Sequence, residues 1–232
     1  MSGAAAGSAS WAGDPFREPA ALLRLSRGFS CLFWSMPLFS AAHGMALLSL
    51  LEPRWMFAPL LAPYLPLACG LGMLRAAGEP TPRWRRKTGW AALLALATAG
   101  LCPFLAWWNL APLRPYFAAN AAAHHVLMLA LLAELNRVAG ECARGLEDVP
   151  LRREARAGFA MVLWLGGCTA AALGWLFHRA GLLAAGLPTV LARLASLPDE
   201  ARYLFLLPYA MTAYVMWRAK ETGFRRTAFP GA

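Results

Sequence analysis

A few polar side chains lie in mainly apolar surroundings, and their chemistry stands out in this sequence. His43, Asn120, His124 and Glu134 are the main examples. An ionisable or amide group costs free energy in an apolar medium, so its presence there indicates ligand binding, proton transfer or a polar contact between helices. These residues are the first candidates for a functional site, and no residue is proposed as catalytic.

Two of the histidines lie at similar distances from the same end of their apolar segments. His43 precedes Leu51 by eight residues, and His124 follows Phe117 by seven. With a helical rise of about 1.5 Å per residue, both imidazoles would lie about 10–12 Å below one surface. Two neutral imidazoles at one depth on different helices could be the axial ligands of a b-type haem. The alternative is that they form hydrogen bonds between packed helices.

The segment around His124 carries two further candidates. Asn120 is one helical turn before His124 and shares its face, whereas the adjacent His125 points about 100° away. We therefore predict that Asn120 and His124 form a substrate-binding pair. Glu134 precedes Arg137 by three residues, a spacing that favours an ion pair, with a proton or cation site as the alternative.

Prolines and glycines interrupt the second apolar segment. Pro59, Pro63 and Pro66 are followed by Gly70 and Gly72. Each proline removes a backbone donor, so the segment is predicted to be an irregular helix. The carbonyls freed by Pro63 and Pro66 could line a substrate site, as in transporters with broken helices. Neighbouring helices could equally satisfy those carbonyls.

The elements that must position these residues are apolar segments of about twenty residues, which is the length that spans a bilayer. The chain has 59% hydrophobic and only 15% charged residues. We predict an all-α, polytopic integral membrane bundle with six transmembrane helices, at about 29–51, 55–74, 88–110, 116–137, 158–178 and 202–218. Residues 1–27 are predicted to be a cytoplasmic tail and interfacial segment, 180–192 an interfacial or re-entrant piece, and 219–232 a cytoplasmic tail.

Basic residues are concentrated between alternate apolar segments. The formal net charge is +10, and the arginine-rich stretches are 17–27, 75–87, 137–156 and 218–226. This placement follows the positive-inside rule, so no nucleic-acid partner is needed to explain the charge. It predicts a bacterial inner (plasma) membrane protein with both termini in the cytoplasm.

Two of the arginine-rich stretches resemble each other. Residues 75–79 and 137–141 share the order Arg-x-Ala-Gly-Glu. Duplication of a hairpin would explain this similarity and predicts three parallel two-helix repeats. The alternative is convergence, because every membrane hairpin needs basic residues on one side and aromatic residues at the interfaces.

The motifs of common enzymes are absent from the sequence. It contains no Gly-x-Ser-x-Gly, no His-Glu-x-x-His and no phosphate-binding glycine loop. The five cysteines form no Cys-x-x-Cys pair, so neither a metal site nor a disulfide framework is predicted.

The function expected from these features is transport of a small solute or ion across the membrane. No cofactor is needed for this function. One alternative is a membrane-anchor subunit that binds haem b or a quinone in a redox complex. Another is a non-catalytic structural or assembly subunit. The expected partners are the lipid bilayer and either a second copy of the chain or another membrane protein.

Overall fold

The fold is a bundle of α-helices. A computed structural model of the protein describes residues 16, 18–47, 55–78, 81–179 and 206–228, and this part contains no β-strand. Its helices are α1 Pro19–Leu47, α2 Phe57–Leu61, α3 Tyr64–Ala76, α4 Pro82–Leu110, α5 Pro115–Gly145, α6 Val149–Arg179 and α7 Leu207–Ala228. The prediction of an all-α helical bundle is confirmed. The predicted piece at 180–192 and the start of the sixth predicted span lie outside the described residues.

Four helices are long and apolar enough to cross a membrane. They are Phe57–Ala76, which contains α2 and α3, and then Pro82–Leu110, Pro115–Gly145 and Val149–Ala172. At most 33% of the residues in the apolar window of each are buried inside the bundle. The remaining apolar surface suits contact with lipid, which is consistent with an integral membrane protein.

The other two described helices, α1 and α7, are not among these four. The apolar part of α1 is interrupted by Ser30, Ser35, Ser40 and His43, and the second half of α7 contains Arg218, Lys220 and Glu221. The predicted count of six spans therefore stays a prediction, as does the threefold repeat.

The helices continue beyond the predicted membrane segments. α5 extends to Gly145 and α7 to Ala228, and residues 19–27 are the first part of α1. Charged residues end a hydrocarbon-compatible segment, but they do not end a helix. The start of α4 is set by a side-chain cap, because Thr81 Oγ1 accepts a hydrogen bond from the backbone N–H of Trp84 at 3.1 Å.

The predicted cytoplasmic segments meet at one end of the bundle, which we call the arginine-rich end. It comprises residues 16 and 18–27, 75–78 and 81–87, 137–156, and 218–228. Contacts between these segments are Arg24 Nη1 to Ala76 O at 3.4 Å, Phe16 to Trp84 with ring centroids 5.8 Å apart, Thr222 Oγ1 to Asp148 Oδ2 at 3.0 Å, and Arg226 Nη2 to Leu146 O at 2.7 Å. The described helices are thus arranged so that these segments lie together at one end of the bundle. The side of the membrane on which this end lies stays a prediction.

Close contact between α1 and α3 depends on two glycines. A Cβ atom at Gly70 would lie 2.8 Å from the carbonyl oxygen of Gly28, and one at Gly28 would lie 3.1 Å from that of Gly70. Small residues at such crossings let helix backbones approach each other. This contact fixes the helix that follows the proline break against α1, which carries His43.

Candidate binding site at the broken helix

The second apolar segment is broken where its prolines predicted irregularity. α2 ends at Leu61 and α3 begins at Tyr64, with Pro63 buried in the turn between them. Pro63 has no backbone N–H, so the helical hydrogen-bond pattern is interrupted there. Leu60 O, near the end of α2, accepts a hydrogen bond from Cys102 Sγ of α4 at 3.3 Å. This bond joins the end of α2 to a neighbouring helix.

The break places an aromatic hydroxyl in the interior of the bundle. Tyr64 is the first residue of α3, and its hydroxyl lies 3.2 Å from Nε2 of His124 on α5. Its ring packs edge-on against Phe39 of α1, with centroids 4.9 Å apart. His124 has 0% of its surface exposed. The broken helix and the predicted His124 face thus meet directly.

His43 of α1 completes a cluster of four polar rings. Its imidazole stacks on that of His124 with centroids 5.3 Å apart and an interplanar angle of 26°. The ring of Tyr209, from α7, lies 5.3 Å from His43 on centroids, and Tyr209 is buried. We call His43, Tyr64, His124 and Tyr209 the imidazole cluster. Four helices contribute one residue each, and two histidines predicted to share a depth are in contact.

Hydrogen bonding fixes the tautomer of one imidazole. His43 Nδ1 lies 2.9 Å from the carbonyl oxygen of Phe39. A carbonyl can only accept, so Nδ1 carries the hydrogen, and in the neutral ring Nε2 presents a lone pair. His43 Nε2 and His124 Nδ1 are both buried without a hydrogen-bond partner. Buried polar atoms are rarely left unsatisfied, so these two nitrogens are the positions where a ligand would bind.

The structure does not bring the other predicted site residues into the cluster. Asn120 donates its own hydrogen bond to Tyr116 O at 2.8 Å, in an exposed position. Glu134 pairs with Arg137 at 3.1 Å, as their spacing predicts, and lies about 15 Å from His124 by helical rise. Pro66 is half-buried on α3, two residues after Tyr64.

Tyr64 and Tyr209 were not predicted from the sequence. Tyr64 follows Pro63 directly, and a polar aromatic residue at a proline break is a signal that could have identified it. Tyr209 follows Pro208, at the start of α7. In both cases a proline lies beside a tyrosine near a helix start.

The chemistry that the cluster offers is hydrogen bonding and proton exchange. Imidazole and phenol groups can both donate and accept a proton. Among the described residues there is no group of three or more His, Cys, Asp or Glu side chains that could hold a metal ion. Comparison of the chain with family models, with curated proteins and with solved structures finds no match.

Proposed function

We propose that the protein transports a small solute or ion across a bacterial inner membrane and binds it at the imidazole cluster. Both termini would lie in the cytoplasm, at the arginine-rich end. The observation that carries this proposal is the convergence of His43, Tyr64, His124 and Tyr209 from four helices beside the break after α2. A polar cluster inside an apolar bundle costs free energy, and substrate or proton pathways are a common reason for it.

The hydrogen-bond pattern indicates which cargo the cluster would suit. His43 Nε2 is an acceptor in the neutral ring, and it has no partner. A proton, or a solute with an N–H or O–H group, would satisfy it. The cargo class that His43 favours is therefore a proton or a small hydrogen-bond donor.

The break supports transport because it gives the bundle a position where one helix can change direction. Transporters often place their sites at discontinuous helices. At this break, Tyr64 is on the α3 side of Pro63, and it contacts His124 directly. A change in the angle between α2 and α3 would alter access to the cluster from the end of the bundle that lies opposite the arginine-rich end.

Flux through reconstituted protein tests the proposal. Vesicles containing the protein and the trapped pH dye pyranine would receive a pH step, and the same vesicles would be tested for uptake of radiolabelled amino acids and small amines. We expect flux above that of empty vesicles, at least tenfold lower in His43→Gln and His124→Gln. His178→Gln, at an exposed position on α6, is the matched control and should retain flux. Absence of flux for every probe, or equal flux in all variants, would contradict the proposal.

The second candidate is a haem-binding membrane-anchor subunit, which would use one nitrogen from each of His43 and His124, and each ring has one buried nitrogen without a partner. The two rings are stacked with centroids 5.3 Å apart, so they would have to separate before a haem could lie between them. The absorption spectrum of the purified protein tests this candidate. A Soret band that is lost in His43→Ala and in His124→Ala would establish it, and a colourless preparation would remove it.

A further inference from the structure

A cavity lies at the arginine-rich end, away from the imidazole cluster. Its volume is about 120 Å³, and it lies between α4, α5 and α6. A single water needs about 10–15 Å³ of such space, so the cavity has room for a larger polar group. Asn136 in its wall follows His124 by twelve residues on α5, which is about 18 Å by helical rise. The cavity is therefore a separate site.

The wall of this cavity is strongly basic. Lys87 of α4, Arg137 and Arg144 of α5, and Arg152 and Arg156 of α6 all line it. Five positive charges around one cavity between three helices repel each other unless anions are close.

Two carboxylates neutralise part of this charge. Glu141 accepts from Lys87 at 2.5 Å and from Arg144 at 2.7 Å, and Glu134 pairs with Arg137 at 3.1 Å. These two acidic groups against five basic ones leave an excess of three positive charges. The excess is concentrated on the α6 side of the cavity, where no described carboxylate pairs with the lining arginines.

The two arginines of α6 carry two of these three charges. Within the described ranges, neither Arg152 nor Arg156 takes part in an ion pair. Arg152 Nε is shielded from solvent and has no hydrogen-bond partner. A buried N–H of a charged group that lacks an acceptor is costly, so an anionic oxygen would stabilise it.

The other residues that line the cavity give it its shape and provide one hydrogen-bond acceptor. The Arg137 guanidinium lies over the Phe159 ring, 5.2 Å from its centroid, which restrains the planar group beside the cavity. Asn136 Oδ1 is also buried without a partner, and it can accept a hydroxyl hydrogen from a ligand. Guanidinium groups bind phosphate oxygens in pairs of hydrogen bonds.

We propose that this cavity binds a phosphate group, with Arg152 and Arg156 as its direct ligands and Lys87, Arg137 and Arg144 as supporting charges. The phosphate would belong either to the headgroup of an anionic phospholipid or to free phosphate. Basic pockets between membrane helices are suited to lipid headgroups. This site goes beyond the proposed transport function, because it does not share residues with the imidazole cluster.

Thermal unfolding of the delipidated full chain in a neutral detergent tests the proposal. The Tm would be measured against sodium phosphate at constant ionic strength, against short-chain phosphatidylglycerol, and against short-chain phosphatidylcholine as the uncharged control. We expect a saturable rise of the Tm with at least one of the two anions. A rise with inorganic phosphate identifies free phosphate as a ligand, whereas a rise with phosphatidylglycerol alone identifies the lipid headgroup.

Matched variants connect that rise to the cavity. In the double variant Arg152→Gln with Arg156→Gln, the ligand concentration that gives half of the Tm rise should increase about tenfold or more. Such an increase is expected when charge-assisted hydrogen bonds are lost. Arg153→Gln removes a neighbouring exposed arginine outside the cavity and should match the wild type. If the double variant does not fold, Arg156→Gln at an exposed position replaces it. The proposal would be overturned if Arg153→Gln weakened ligand binding as much as the double variant does. It would also be overturned if neither anion raised the Tm more than phosphatidylcholine does.

Discussion

The hydroxyl of Tyr64 and Nε2 of His124 lie 3.2 Å apart, although sixty residues separate them in the sequence. This hydrogen bond joins the start of α3, directly after the proline break, to the first half of α5. It is therefore a contact through which a change at the break would reach His124.

Tyr64→Phe should remove that hydrogen bond and leave the ring packing against Phe39 in place. We expect the free energy of unfolding in detergent to fall by about 0.5–1.5 kcal/mol. A double-mutant cycle with His124→Gln should return a coupling energy of similar size. Tyr116→Phe, which removes an exposed hydroxyl, is the control and should have little effect. If the changes in the free energy of unfolding of the two single variants add up to that of the double variant, the contact contributes nothing to stability.

Gly70→Ala should separate α1 from α3. The new Cβ would lie 2.8 Å from the carbonyl oxygen of Gly28, and the backbone cannot move aside without loss of packing. We expect a loss of about 1–3 kcal/mol in the free energy of unfolding. Gly72→Ala on the same helix meets no atom within 4 Å and should be neutral or stabilising by up to about 1 kcal/mol through helix propensity. Equal effects of the two substitutions would contradict the close contact.

Glu147→Gly should stabilise the turn between α5 and α6. Glu147 has a φ of 55°, the left-handed region where glycine is favoured after a helix C-terminus. Removing its side chain should raise the free energy of unfolding by about 1 kcal/mol. Glu147→Ala removes the same charge but keeps Cβ, so it should bring no such gain. A Tm that rises equally in both variants would instead indicate an effect of charge.

Several features of the fold follow directly from the sequence. The uncharged segments predict the helices, because an apolar block of that length has no other stable form in hydrocarbon. The prolines predict the break at Pro63, since a missing N–H interrupts the helix wherever it occurs. The predicted equal depth of His43 and His124 agrees with their contact in the structure.

The partners of those histidines could not be predicted. A uniformly apolar helix has faces that differ little in polarity, so its sequence does not show which face meets which neighbour. Tyr64 and Tyr209 were missed for this reason. Asn120 was expected beside His124, yet its amide bonds to its own backbone at Tyr116 O. The basic cavity was also missed. Its arginines lie in stretches that the positive-inside rule already explains, so the sequence gives no separate sign of a binding site there.

Thiol labelling tests most directly whether the bundle crosses a bilayer with its arginine-rich end on one face. Single cysteines at Arg85, Arg153 and Leu113 would be introduced into a variant without native cysteines, and intact cells would be treated with a membrane-impermeant maleimide. We predict that Leu113→Cys is labelled from outside, whereas Arg85→Cys and Arg153→Cys are labelled only after the cells are opened. Labelling of Arg85→Cys and Arg153→Cys from opposite sides, or equal labelling of all three in intact cells, would contradict this arrangement.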